Sequence, residues 1–419
     1  MMRFRGLPTS PSASPTRSAD SSQSPSRGRL LDTSAFRWAI FFIALVVILF
    51  LPYTLAARLL KTMRFLNVQP MDMSRYCQRR YSNSTLELGD GSYFIALNLH
   101  NSDKVVPYII PQIQRLVDIL GSQRVFVSIY ESGSVDSTGR WILLYRQYLQ
   151  SNDIPHEIIS DNRVRGRSQH RIDYLATVRN TVMAPLYTGK FKADFVVFIN
   201  DVYFCAEDVS RLAQRVRLGN DVSMACGLDI AADRFRDILF YDTWVCRDMV
   251  GGSLHGKFPF FNRKSDIERI RQGLPVPVYA CWNGLVVIDA SVFSKIRFRS
   301  APGDACLSSE CTLFCQDVWE VAPGNILIDP AVYVVYEQYT AERMLQYPVE
   351  GLGLTDLPVL GTFPDHEPRP TAYGCYPMVG LDSFSSPRRR VPEPATRLPN
   401  SFWFNEKLYV SDNDFVPYF

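Results

Sequence analysis

The sequence predicts an α/β domain built on a mostly parallel sheet flanked by helices, preceded by one transmembrane helix. Three observations predict it. From about residue 92, short apolar, β-branched and aromatic runs alternate with segments of helical spacing, the pattern of strand–helix–strand units. Several of these runs end in an acid, at Glu131, Asp161 and Asp201. Upstream, Trp38 to Ala57 is twenty residues without a charge, the length that crosses a bilayer core.

Taken in order, Tyr93 to Leu99 reads as the first strand and opens into Asn-Leu-His-Asn-Ser. Val105 to Leu120 has helical spacing, with Ile109, Ile113, Leu116 and Leu120 recurring on one face. Arg124 to Tyr130 is a second strand, Trp141 to Gln150 a helix, and Ile154 to Ile159 a third strand ending at Ser160-Asp161. Arg171 to Asn180 reads as a helix with Ile172, Leu175 and Val178 at three-residue spacing. Phe195 to Ile199 is wholly apolar, as a buried central strand is, and it stops at Asn200-Asp201. Ligands of open α/β sheets sit beyond the carboxyl ends of the strands. Asp201 therefore stands where a hard cation and a diphosphate would be held. For an isolated Asn-Asp, a plain turn after a strand is the competing reading.

With 419 residues the chain has room for one large domain or two ordinary ones with appendages. Its formal charge of +3 gives no bulk electrostatic case for nucleic acid, and none is expected as a partner. Five scattered histidines do not supply the ligand set of a metal phosphoesterase. Residues 1–36, rich in Ser, Pro, Thr and Arg, are expected to be a disordered cytosolic tail. Residues 37–58 then form a signal anchor, 59–90 a stem, 91–350 the catalytic domain and 351–419 a Pro-rich extension. In that extension Arg388 to Arg390 reads as a solvated turn, while the aromatic end is expected to dock. Flanking charges do not orient the span, since Arg27, Arg29 and Arg37 precede it and Arg58, Lys61 and Arg64 follow.

Two features favour a lumenal domain. Asn83-Ser84-Thr85 is a glycosylation acceptor, and seven of the nine cysteines lie between Cys205 and Cys315, consistent with disulfides. Cys306, Cys311 and Cys315 lack the paired short spacings of a zinc site, so disulfides around them are expected, with connectivity open. Nine is odd, which leaves at least one thiol free or paired outside the chain.

The loops carry the chemistry. Gly133 and its neighbouring serines let backbone pass close to a ligand, and Glu131 or Asp136 can accept hydrogen bonds from a ribose or a base. Asp136 or Ser137 also suits a helix N-cap. Arg163, Arg165, Arg167, Arg171 and Arg179 precede the Asp201 strand, and guanidinium groups bind phosphate bidentately.

Glu131-Ser-Gly-Ser-Val-Asp136, the Arg171-Ile-Asp-Tyr-Leu-Ala-Thr-Val-Arg179-Asn180 helix and the strand running into Asn200-Asp201-Val-Tyr-Phe-Cys-Ala-Glu-Asp208 resemble a GT-A glycosyltransferase. More specifically, they resemble the fungal capsule-associated α-1,3-mannosyltransferases, glycosyltransferase family 69. Ala225 to Asp229, Phe240 to Asp248, Cys281-Trp-Asn-Gly284 and Ser309 to Trp319 extend the resemblance over roughly residues 90 to 350. It implies a GT-A-like nucleotide-diphospho-sugar transferase fold and a Golgi type II protein. The implied donor is GDP-mannose, the acceptor a mannose-containing glycan, the cation Mn2+ (or Mg2+), and the product an α-1,3 linkage with retention.

Carried onto this chain, the resemblance and the strand-end logic together give Asp201 as the metal residue and Asn83 as the glycosylation site. Donor contacts are expected from Glu131, Asp136, Asp161, Arg171, Asp173, Arg179 and Asn180. Acceptor contacts fall to Trp244, Trp282 and Asn283, the tryptophans as sugar-stacking platforms. Asp229, Glu310 and Asp317 are the carboxylates for the reaction centre. One departure stands out: many GT-A enzymes have Asp-x-Asp where this chain has Asn200-Asp201-Val202-Tyr203, leaving one direct carboxylate with Glu207 or Asp208 as assistants. That departure is also the best argument for the alternative, a non-catalytic lumenal glycan-binding or scaffold protein.

Overall fold

The computed structural model describes residues 73–81, 90–166, 169–219, 221–232, 238–301, 308–322 and 325–346, with residues 38, 41–42, 45, 363–364, 367–370, 372–375 and 389–392 besides. The chain divides into two units, residues 1–70 and residues 71–419. In the first, Trp38, Phe41, Phe42 and Leu45 are helical and exposed. The rest of the expected span, the tail before it, Asn83 and most of the C-terminal extension lie outside the described residues. Among the described residues no helix is long and apolar enough to cross a membrane.

The second unit opens with helix α1 (Met73–Arg80) and continues with β1 (Tyr93–Leu99), α2 (Val106–Leu120), β2 (Val125–Ser132), α3 (Thr138–Ser151), β3 (His156–Asp161), α4 (Arg171–Tyr187) and β4 (Phe195–Ile199). The helices are crossovers, so β3-β2-β1-β4 lie side by side and all parallel. Apolar runs without alternation put β1, β2 and β4 in the interior of the sheet, covered on both faces.

Beyond β4 the sheet changes character. Helix α5 (Ala206–Leu218) leads to β5 (Val222–Ala232), β6 (Ile238–Phe240) and β7 (Arg247–Asp248). Then come α6 (Lys264–Arg271), β8 (Val276–Ala280), β9 (Leu285–Asp289), α7 (Glu310–Val321), β10 (Asn325–Val335) and α8 (Gln338–Gln346). The ten-stranded sheet runs β3-β2-β1-β4-β9-β5-β10-β8-β7, with β6 on β5. Strand β9 enters antiparallel between β4 and β5, and β8 and β7 are antiparallel too. The expectation of a mostly parallel sheet thus holds for the first half, and the whole is mixed. Apolar pattern marks a strand but not its direction, which the connection decides.

The register brings distant residues to one edge. Ile199 pairs with Leu285, Cys226 with Val286 and Asp229 with Val334. Tyr203 bridges Val335. The ends of β4, β5 and β10 and the start of β9 therefore meet.

Disulfides join Cys77 to Cys205 and Cys226 to Cys281, whereas Cys246, Cys311 and Cys315 are buried free thiols. Cross-linking of Cys311 and Cys315 is thus corrected; Cys306 lies outside the described residues. The pairs follow adjacency in the fold rather than spacing along the chain. The first one fastens α1, whose Met73 and Cys77 are core residues. Arg80 pairs with Asp208 at 3.3 Å and stacks 3.6 Å over the Tyr333 ring. Part of the expected stem therefore packs as part of the domain. Near the end of the chain, Arg369 meets Glu320 at 2.8 Å. Arg389 and Arg390 belong to β12 (Arg389–Pro392), paired with β11 (Ala372–Cys375), instead of forming a turn.

Candidate active site

Two stretches of the carboxyl edge differ in chemistry. At the ends of β1 and β2 the loops are stitched together. Asn101 N donates to Ser134 Oγ at 2.9 Å, Val135 N to Asn101 Oδ1 at 2.9 Å and Ser102 N to Thr138 Oγ1 at 2.7 Å. Asp136 accepts from Thr138 N at 2.9 Å and Asp103 N at 3.2 Å. Burial opposes its charge, but the hydrogen bonds from Thr138 and Asp103 outweigh burial and hold the carboxyl below its ordinary value. The cap position of α3 is Ser137, which makes no side-chain cap bond; Asp136, one residue before it, holds the first helical N–H and also fastens the neighbouring loop.

Glu131, buried at the end of β2, accepts from Ser134 N at 2.7 Å and from the Ser160 hydroxyl. Asp161 takes Arg163 N at 2.8 Å and Arg163 Nε at 2.5 Å; these bonds lower its carboxyl pKa. Gly133 has φ +58°, and a Cβ there would lie 2.7 Å from Val164 Cγ1, so only glycine passes. Arg171 and Asp173 are exposed on α4. Arg167 is outside the described residues.

At the ends of β4 and β5 and just after β6, Asp229 is wholly buried while Asp201 and Asp242 are half-buried. Asn200 is structural: its amide donates to Tyr336 OH at 2.8 Å and accepts from Trp282 Nε1 at 3.4 Å. Asp201 follows it, its carboxyl pushed up by burial against the pull of its own backbone, the Ser102 hydroxyl and His100. Asp229 has no exposed surface, and neither of its oxygens has a hydrogen-bond partner among the described residues. Burial, then the charges of Asp242 and Asp201, raise it well above the ordinary carboxylate range. Burial pushes Asp242 up to about 6, against hydrogen bonds from Val245 and Asn283 and the Arg247 charge. Tyr241 and Tyr336 lie in the same field, both raised by burial first and Asp229 next.

Such a set suits a cation, which would neutralise charge that no protein group balances. The three aspartates are not clenched: among the described residues, the ligand atoms of Cys77, Cys205 and Glu207 form the only trio within 4.8 Å of one another. Two members of that trio are disulfide sulfurs, so it is no metal site.

Several expected ligand contacts turn out to be internal. Arg179 gives Nε to Glu310 Oε1 at 2.8 Å, with its guanidinium 4.6 Å from the Trp282 ring and 4.8 Å from Phe198. It is therefore enclosed with Glu310 rather than presented to a diphosphate. Trp282, only 1% exposed, is packed edge-on by Phe198, Phe298 and Phe314, so it offers no face to a sugar. Asn180 holds the Phe298 backbone through both amide atoms, at 2.8 and 3.1 Å. Asn283 has φ +53° and donates to Gly227 O at 2.7 Å while accepting from Cys246 Sγ. Asp317, buried on α7, is gripped by Arg299 Nε and Nη2, each at 2.8 Å. In each case the polar contacts shown are to the protein itself, though Arg179 Nη1 is buried without a hydrogen-bond partner among the described residues. Trp244, half-buried, keeps part of its surface in solvent.

Asp242 is expected from the sequence only as one of the carboxylates, with Asp229, Glu310 and Asp317, available to bind acceptor or donor hydroxyls. Tyr241 and Tyr336 have no assignment from the sequence, although the apolar run of β10 ends at Tyr336 and the strand-end rule applied to Asp201 would have found it. A cavity of about 800 Å³, lined by Tyr187, Phe191, Asp194, Arg217, Asp289 and Arg297 among others, opens at the opposite edge. It lies at the start of β4 and the end of β9, away from these groups.

Fold and site together define an α/β protein whose ligand chemistry gathers on the carboxyl edge of a mixed sheet. The family described as Cryptococcal mannosyltransferase 1 matches residues 92–317, more than half of the chain, and the chain belongs to it. The alpha-1,3-mannosyltransferase CMT1 of Cryptococcus neoformans var. neoformans serotype D is 28% identical over 286 residues. That match covers 61% of this chain and 60% of the relative's length. Among solved structures, TarS 1-349 of S. aureus gives a TM-score of 0.36 at 14% identity, covering 61% of this chain and 64% of its own. The mannosyltransferase PcManGT of Pyrobaculum calidifontis, in complex with GDP-Man and Mn2+, gives 0.35 at 11%, covering 72% and 71%.

Proposed function

We propose that the chain is a GT-A-like mannosyltransferase that moves mannose from GDP-mannose to a hydroxyl of a mannose-containing acceptor glycan, with Mn2+ (or Mg2+) assisting. The observation that carries this reading is the convergence of Asp201, Asp229 and Asp242 on one sheet edge, in a chain of this family. A cation held at Asp201 would neutralise charge on a departing diphosphate. The chain's own residues supply the rest. The stitched loops at Asn101 to Asp103 and Glu131 to Thr138 are preorganised to hold a nucleoside, and Gly133 lets backbone approach it. Trp244 is the surface available for stacking on a sugar. The product is an α-1,3 linkage with retained configuration.

The test is incubation of the full chain, purified in detergent, with GDP-mannose, Mn2+ and a panel of mannose-containing oligosaccharides. Release of GDP with a mannosylated product is expected, its linkage read by methylation analysis. Glycan binding without turnover of any nucleotide sugar would establish the scaffold reading instead. Localisation belongs to the same proposal: a Golgi type II protein with residues 1–36 cytosolic and Asn83 lumenal and glycosylated. In sealed microsomes the large domain should resist protease until detergent is added. Digestion without detergent would refute that topology.

A further inference from the structure

The segment Asn200-Asp201-Val202-Tyr203 offers one carboxylate where two are common, and Asn200 is committed elsewhere. Its amide bonds Tyr336 OH and Trp282 Nε1, so it cannot also turn toward a cation. A single carboxylate holds a small divalent ion weakly.

The adjoining strand end supplies what β4 lacks. Asp229 lies in the last third of β5, in register with Val334 of β10. Its backbone carbonyl accepts from Tyr241 N at 3.0 Å, which fixes the main chain while leaving the side chain unassigned. The carboxyl is wholly buried and both oxygens lack a hydrogen-bond partner among the described residues. Buried polar groups are paired in nearly all folded proteins. Protonation alone does not resolve the deficit, because a neutral carboxyl would still hold an unmatched O–H and an unmatched carbonyl oxygen. The other buried acids show how the chain ordinarily treats such groups. Asp329 is met by Arg211 and Arg215, Asp208 by Arg80, and Asp317 by Arg299. Asp229 has no such partner: the charges that raise it are those of Asp242 and Asp201, and it acts in turn on Tyr241 and Tyr336, none of them a cation.

We propose that Asp229 is the second carboxylate of the cation site begun by Asp201, reached across the sheet from β5 rather than along the chain. This rests on the transferase reading only for the presence of a cation. Mg2+ keeps several of its waters and is commonly bound through only one or two carboxylates.

The experiment titrates Mn2+ alone, without nucleotide, into the full chain and into Asp229→Asn and Asp201→Asn, reading free Mn2+ by electron paramagnetic resonance and Tm in parallel. Asp229→Asn should bind Mn2+ at least about tenfold more weakly. In EDTA it should melt at or above the wild-type temperature, since it removes an unbalanced buried acid, and it should lose the Mn2+-induced rise in Tm. Wild-type Mn2+ affinity in Asp229→Asn, alongside loss in Asp201→Asn, would overturn this inference and leave the transferase reading standing. A wild-type chain that binds no Mn2+ would overturn the inference together with the metal-assisted step. If Asp229→Asn melts well below wild type in EDTA, Asp229→Glu decides: recovery of Mn2+ binding supports the cation role, and recovery of stability without Mn2+ binding rejects it.

Discussion

Two groups of carboxylates share one edge of the same sheet and are treated in opposite ways. Glu131, Asp136 and Asp161 are fully hydrogen-bonded by loop backbone, hydroxyls and Arg163. In the second group, Asp229 is wholly buried, without a donor among the described residues, and raised by burial and then by the charges of Asp242 and Asp201. Those two are half-buried and raised by burial despite bonds from Ser102 and from Val245 and Asn283. The first group spends its lone pairs on making loops rigid. The second keeps an electrostatic deficit that folding alone does not remove, the kind of perturbation that clusters at functional sites and on which the proposed cation role rests. Charge type in the sequence is identical in the two groups, and only the surroundings that the fold gives each carboxyl separate them.

The sharpest way to break this comparison is Asp201→Asn. If the second group serves chemistry, turnover of GDP-mannose should fall at least about a hundredfold, the scale of losing one transition-state electrostatic partner, with Tm unchanged. Near-normal turnover would place Asp201 with the structural acids.

Gly284→Ala tests the joint that brings the second group together. Gly284 has φ +73°, and a Cβ there would lie 2.8 Å from Val202 Cγ1 and 3.3 Å from Tyr336 OH. Left-handed strain and overlap should cost about 2 kcal/mol in urea unfolding and displace the Asn200–Tyr336 contact. A variant as stable as wild type would show that the joint is slack.

Asp136→Ala should cost about 1 kcal/mol of stability, as the loss of a helix-start acceptor does. The sign with pH follows from its lowered carboxyl pKa. Its contribution is present above the unfolded value and is lost as pH falls through the folded one. Unfolding of the variant should therefore be less acid-sensitive than that of wild type. An unchanged acid limb would remove Asp136 from the structural group.

A pH slope tests Asp242, whose carboxyl is raised from 3.8 to about 6. A raised acid binds its proton more tightly when folded, so its contribution is full below about 4 and is lost as pH rises through about 6. In metal-free protein, the decline in stability from pH 4 to 6 should be shallower in Asp242→Asn. An identical slope in the variant would mean that this carboxyl ionises as freely folded as unfolded.

Much of the first half was legible. The apolar runs gave β1, β2 and β4, and three-residue spacing gave the start of α4, because burial on one face leaves a period in the sequence. Cysteine pairing and the fates of Trp282, Asn180, Asn283 and Arg179 were not legible. Trp282 reads as a platform until Phe198, Phe298 and Phe314 are seen to enclose it. Arg179 reads as a phosphate ligand until Glu310, 131 residues away, is found against it.

The sequence by itself determined the strand–helix alternation of the first half, the acid at the end of β4, and membership of a mannosyltransferase family. These are local or cumulative properties, written in period and motif. Tertiary structure alone decided that β9 inserts antiparallel between β4 and β5 and that Asp229 comes within the electrostatic influence of Asp201. It also decided which acids acquire donors and which remain without them. Hydrogen-bond satisfaction depends on neighbours brought together across the sheet, and a residue's identity does not say who those neighbours will be.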